Sequence, residues 1–92
     1  MIIYKYKLEQ DPTRLQEIEI PNEMWPLSVG EQYGELYVWA LTRPASHPLK
    51  HRFYVLGTGI EASHIQLGDV EHLRFLNTVQ MSSGLVWHVF VV

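Results

Sequence analysis

Apolar and polar side chains alternate with a period of two along most of this chain, the signature of strands rather than helices. Ile2, Tyr4, Tyr6 and Leu8 alternate with Ile3, Lys5, Lys7 and Glu9, which predicts a half-buried strand. Asp11-Pro12 is a turn signal. Ile18 and Ile20 then alternate with Glu17 and Glu19 in a short strand that Pro21-Asn22 ends. Residues 24–32 are less clearly patterned, because Pro26 removes a ladder donor and suits an edge or a strand start. Tyr33-Gly34 reads as a hairpin turn into a strand over residues 35–42. There Leu36, Val38 and Ala40 share one face, and Tyr37 and Trp39 the other.

Residues 43–48 read as a surface loop and residues 50–56 as a strand, with Arg52 and Tyr54 on one face. Gly57-Thr58-Gly59 ends that strand. Residues 60–70 are poorly patterned: Glu61-Ala62-Ser63-His64 suit at most one helical turn before Gly68-Asp69. A sixth strand is predicted over residues 72–80, with Leu73, Phe75 and Val79 on one face. Ser82-Ser83-Gly84 then turns the chain into Leu85-Val86-Trp87-His88-Val89-Phe90-Val91-Val92. Only His88 interrupts that apolar run, so it predicts a strand buried on both faces. Seven strands, short connections and no confident helix define an all-β chain. The expectation is a single domain over residues 1–92, a small antiparallel β-sandwich or a partly open barrel.

Composition narrows the chemistry. Ninety-two residues suffice for one core without staples, and none is available, since there is no cysteine. Thiol chemistry and Cys-based zinc sites are thereby excluded. Lys5 and Lys7 interrupt the apolar start at once, and no apolar run approaches a membrane span of ~20 residues. A soluble protein with no membrane association is the expectation. The net charge of −3, with scattered basic residues, argues against broad nucleic-acid binding.

The order Trp39-Ala40-Leu41, Pro44, Phe53, Gly57-Thr58-Gly59, Thr78-Val79-Gln80 and Gly84-Leu85-Val86-Trp87-His88-Val89-Phe90 resembles a family of small proteins of tailed phages and prophages. That likeness spans nearly the whole chain and includes the opening Met1-Ile2-Ile3-Tyr4-Lys5-Tyr6-Lys7-Leu8. Ile60-Glu61 stands where relatives often carry His-Pro, so any role of that histidine is missing here. The resemblance implies a viral setting, hence host cytoplasm, and carries no activity.

Gly57-Thr58-Gly59 is the candidate phosphate loop, since glycines let amides approach an anion. It lacks the third glycine of a dinucleotide fingerprint and the Gly-Lys-Ser/Thr of a Walker loop, so a turn requiring positive φ is the plainer reading. The five histidines show no metal-ligand spacing, and no metal or cofactor is expected. A triad of Ser63 or Ser82, His64 or His88, and Asp69 exists only on paper, without a nucleophile elbow. Glu17 and Glu19 most simply solvate their strand.

Eleven aromatic residues exceed what a modest core must hold. The leading expectation is therefore a non-enzymatic, homo-oligomeric accessory protein that binds a host or viral protein and modulates host defence or metabolism. The alternative is a protein that sequesters a nucleotide-like small molecule. Gly57, Thr58 and Gly59 would hold its phosphate, Arg52 would supply charge, and Trp39, Tyr54, Trp87 and His88 would contact it. A minor virion component is the third reading.

Overall fold

The computed structural model describes residues 1–65 and 70–92. Among the described residues five strands form one antiparallel sheet: β1 (Ile2–Leu8), β2 (Gln16–Gln32), β3 (Glu35–Gly57), β4 (Arg74–Gln80) and β5 (Val86–Val91). β3 is the spine. Its first half pairs with β1 and β2, and its second half pairs with β2 and β5, which in turn pairs with β4. The sheet curls strongly into an open half-barrel. The all-β expectation holds, but five strands replace seven, and they join one sheet instead of the two facing sheets of a sandwich. No helix among the described residues is long and apolar enough to cross a membrane.

The strand count falls because proline did not break what it was expected to break. The segments 17–20 and 24–32 run together as β2, and 35–42 and 50–56 run together as β3 through the predicted loop. Between Ile20↔Leu49 and Asn22↔Pro44, β3 advances five residues while β2 advances two. Residues 45–48 therefore bulge out and take Pro48 off the ladder, while Pro44 closes the bulge as the partner of Asn22. Pro26 sits at a second irregularity, between Pro26 and Ser28, where Leu27 is the unpaired extra residue. Bulges also bend strands, which is how two long strands wrap the core.

That core contains Leu8, Val29, Leu36, Val38, Ala40, Phe53, Val55, Trp87 and Val89. On residues 35–42 the two faces are those of the alternation, and the one carrying Leu36, Val38 and Ala40 is the buried one. Elsewhere the pattern misled. On β1 only Leu8 is buried, and Ile2 and Tyr4 stay exposed, because β1 lies at the edge of the sheet. On β5 Trp87 and Val89 are buried while Val86, His88 and Phe90 are half-buried, so the strand is interior in pairing yet buried on one face only. β4 starts at Arg74, and a bulge between Phe75 and Asn77 leaves Phe75 exposed and Val79 buried instead of sharing a face. Ala62–Ile65 closes one hydrogen-bonded turn, whereas Gly68 and Asp69 lie outside the described residues.

The turns follow local chemistry. Gln32 pairs with Glu35 around Tyr33 and Gly34, both at positive φ (53° and 78°), the geometry of a two-residue type I′ hairpin. Ser82-Ser83-Gly84 forms a three-residue loop in which the Gly84 amide donates to Met81 O at 2.9 Å and Gly84 takes φ 96°.

Candidate functional site

Antiparallel pairing places side chains from three strands side by side on the outer face of the half-barrel. Ile3 and Trp25 flank Leu41, Lys5 and Ser28 flank Trp39, and Lys7 and Gly30 flank Tyr37. Residues paired across a ladder share a face, and the alternate residues Leu36, Val38 and Ala40 are in the core, so this set points outward. Ile3 is 56% exposed and Trp25 42%. Gly30 leaves room for Trp39, whose ring would stand 3.4 Å from a Cβ placed there. Tyr37 and Trp39 meet at 6.0 Å between ring centroids, tilted by 58°.

Cations frame the aromatic surface. Lys5 Nζ stands 4.5 Å over the Tyr37 ring and donates to the Gln32 side chain, and the Arg43 guanidinium stands 5.3 Å over Trp25. Arg43 also pairs with Glu23, a contact that holds its guanidinium above the ordinary arginine pKa through hydrogen bonding and charge. Lys7 pairs with Glu35 at 3.5 Å. The patch is apolar at its centre and charged at its rim.

The residues assigned to a small-molecule site divide between locations. Gly57 pairs with Trp87, and the Trp87 ring would lie 3.2 Å from a Cβ on Gly57. Gly59 alone of the two loop glycines has positive φ (74°), in a turn closed by the Ile60 amide to Gly57 O at 3.2 Å. Thr58 and Thr78 clamp His88 between them: Thr58 Oγ1 is 2.6 Å from Nε2, and Thr78 Oγ1 is 2.9 Å from Nδ1. Thr58 and His88 thus meet side chain to side chain, a contact the sequence did not specify. Trp87 turns to the opposite face, only 4% exposed, with its indole N–H on Gln10 at 3.1 Å.

Arg52 lies five residues along β3 from Gly57, about 16 Å at ~3.3 Å per residue, and pairs with Glu17 at 2.9 Å. Glu17 thus answers a specific cation and does more than solvate its strand. Tyr54 is buried, with the His64 ring 5.3 Å away. Trp39 belongs to the outer aromatic face. A cleft of about 240 Å³ beside Lys50, His51 and Arg52 has a floor of Met24, Phe53 and Val91, apart from the Gly-Thr-Gly turn. Among the described residues no group of three or more His, Asp or Glu is placed to hold a metal.

Sequence reading missed Trp25, Ile3, Leu41 and Arg43 as members of the outer face, and Thr78 as the second partner of His88. Trp25 was obscured by Pro26, since the bulge that accommodates the proline leaves no mark on periodicity. Thr78 was legible only through register, which brings it opposite His88.

The chain matches, over residues 1–92, the model of a family described as a domain of unknown function (DUF7352). No curated protein and no solved structure matches it.

Proposed function

We propose that this chain, which belongs to the DUF7352 family over its whole length, is a non-enzymatic binding module that grips a protein partner with its outer aromatic face. The observation that carries the reading is the row Ile3–Leu41–Trp25, continuous with Trp39 and Tyr37, in which Ile3 and Trp25 are exposed and the other three half-buried. Tryptophan, tyrosine and arginine dominate binding energy at protein interfaces, and a rim of charge sets orientation. The complementary partner presents apolar side chains to Trp25 and Leu41, with carboxylates or carbonyls toward Lys5 and Arg43.

The wider setting follows the likeness of nearly the whole chain to small phage and prophage proteins. The partner is then a host or viral protein in the host cytoplasm, and the consequence is altered host defence or metabolism. The sequestering of a nucleotide-like molecule is less favoured by the geometry. Trp87 is buried on the face opposite His88, and Arg52 is ion-paired with Glu17, five residues along β3 from Gly57. A minor virion component would use the same face in assembly.

The test is affinity capture from infected cells with the wild-type chain, Trp25→Glu and Thr58→Ala. Loss of the captured protein with Trp25→Glu but not with Thr58→Ala supports the aromatic face. Unchanged capture by Trp25→Glu, or a saturable thermal shift with nucleotides that Thr58→Ala abolishes, overturns it.

A further inference from the structure

The edge strand β1 is long for an edge and carries few of the devices that keep edges apart. It has seven residues, no proline and no bulge, and it pairs with β3 on one side only. Ile2, Ile3 and Tyr4 are 55%, 56% and 47% exposed, and they project from both faces of the strand. Unpaired main-chain groups beside apolar side chains form a template for another strand.

Charge selects the occupant. Lys5 and Lys7 are answered within the chain, by Gln32 and Tyr37 and by Glu35, so the edge has no unanswered cation calling for an acidic peptide. What it offers is apolar, and the strand that suits it is apolar and β-prone, which describes β1 itself. A two-fold axis at Ile3 or Tyr4 sets Lys5 against Met1 or Ile3 of the second copy. An axis at Tyr6 would set Lys5 against Lys7 twice. The like-charge cost thus confines pairing to the exposed apolar end. A cleft of about 120 Å³ lined by Met1, Ile2, Tyr4, Asn22, Thr42 and Pro44 lies beside that end, where a second copy would place its own apolar side chains.

We propose that two copies of this chain pair antiparallel through the Ile2–Tyr4 end of β1, joining their half-barrels into one continuous sheet. One short strand pair with its flanks buries less than the ~1,200 Å² of a standard interface, so the dimer is weak and concentration-dependent. The inference is independent of the partner reading, because it is read from mass and not from capture.

The test is sedimentation velocity of the full chain from about 1 μM to about 1 mM, with Ile3→Lys as the edge variant and Leu85→Lys as a control on an exposed residue outside the edge. Circular dichroism establishes that each variant folds. Expected are a shift from one to two chain masses in the wild type and control, and a monomer for Ile3→Lys. Because the chain has no cysteine, single replacements also report the axis. Ile3→Cys or Tyr4→Cys, whichever stands on the two-fold, should oxidise to a disulfide dimer at least tenfold faster than Lys7→Cys. A wild type that stays monomeric throughout, a dimer that survives Ile3→Lys, or equal oxidation of all three cysteines overturns the proposal.

Discussion

The side-chain amide of Asn77 on β4 pairs with both main-chain groups of Val29 on β2. Val29 N donates to Oδ1 at 2.7 Å, and Nδ2 donates to Val29 O at 2.7 Å. β2 and β4 run side by side without a backbone ladder, and this carboxamide replaces the missing peptide group. Arg74 on Pro26 O and Glu31 on the Ser82 amide and hydroxyl extend the seam on either side. Gln16 uses the same device just past the end of β1, accepting from Glu9 N at 2.8 Å and donating to Glu9 O at 2.7 Å. Two carboxamides thus satisfy main-chain groups at places where the curled sheet ends its ladders.

Asn77→Ala should lower unfolding free energy by about 2 kcal/mol, because it strands a buried donor and acceptor on Val29 at once. Asn77→Asp should cost at least as much, since a carboxylate cannot donate to Val29 O. Urea denaturation measures both. A loss below about 0.5 kcal/mol for Asn77→Ala would mean the seam holds without its side-chain stitch.

Tyr33 is 92% exposed and held at φ 53°, a region that favours Asn and Gly. Tyr33→Asn creates Asn-Gly, the preferred type I′ pair, and should stabilise the chain by about 0.5–1 kcal/mol. Thermal unfolding at neutral pH checks it. A lower melting temperature would refute the turn assignment.

The two glycines of the Gly-Thr-Gly turn should respond for different reasons. At Gly57 an added Cβ would lie 2.5 Å from Ile60 Cδ1 and 3.2 Å from the Trp87 ring, so Gly57→Ala must displace the half-exposed Ile60. At Gly59 there is open space, but φ is 74°. Both changes should destabilise by about 1 kcal/mol. Only Gly57→Ala should move the Trp87 indole resonances in an NMR spectrum.

Acid and alkali should act through different residues. The Thr13 hydroxyl and amide, then Arg14, hold the Asp11 carboxyl below its ordinary pKa. Its contribution is therefore present above the unfolded carboxylate pKa of about 3.9 and is lost as pH falls through the lowered folded value. The stability gap between wild type and Asp11→Asn should narrow in that acid window. Burial, then the neighbouring Tyr4, raises the Tyr6 phenol. That contribution is complete below about pH 10 and is lost as pH rises through the raised value. Tyr6→Phe should flatten the alkaline limb of a melting-temperature profile, and an unchanged limb would count against it.

Much of the local structure was determined by sequence alone. Alternation over residues 35–42 put Leu36, Val38 and Ala40 on one face and Tyr37 and Trp39 on the other, because successive side chains of a strand point to opposite faces; which face is inward came only with the fold. Tyr33-Gly34 and Ser82-Ser83-Gly84 announced turns, because few residues tolerate positive φ. Thr58 and His88 were singled out separately, and their contact came only with the fold. Tertiary structure alone decided how far each strand runs, since bulges at or beside Pro21, Pro26, Pro44 and Pro48 merged four predicted strands into two. It also decided which strand lies at the edge, and hence that Ile2 and Tyr4 stay exposed while Leu8 is buried. Period-two alternation names the face of a residue but not what covers that face. Covering depends on pairing partners tens of residues away, so the outer aromatic face and the Asn77–Val29 seam exist only once the sheet has curled.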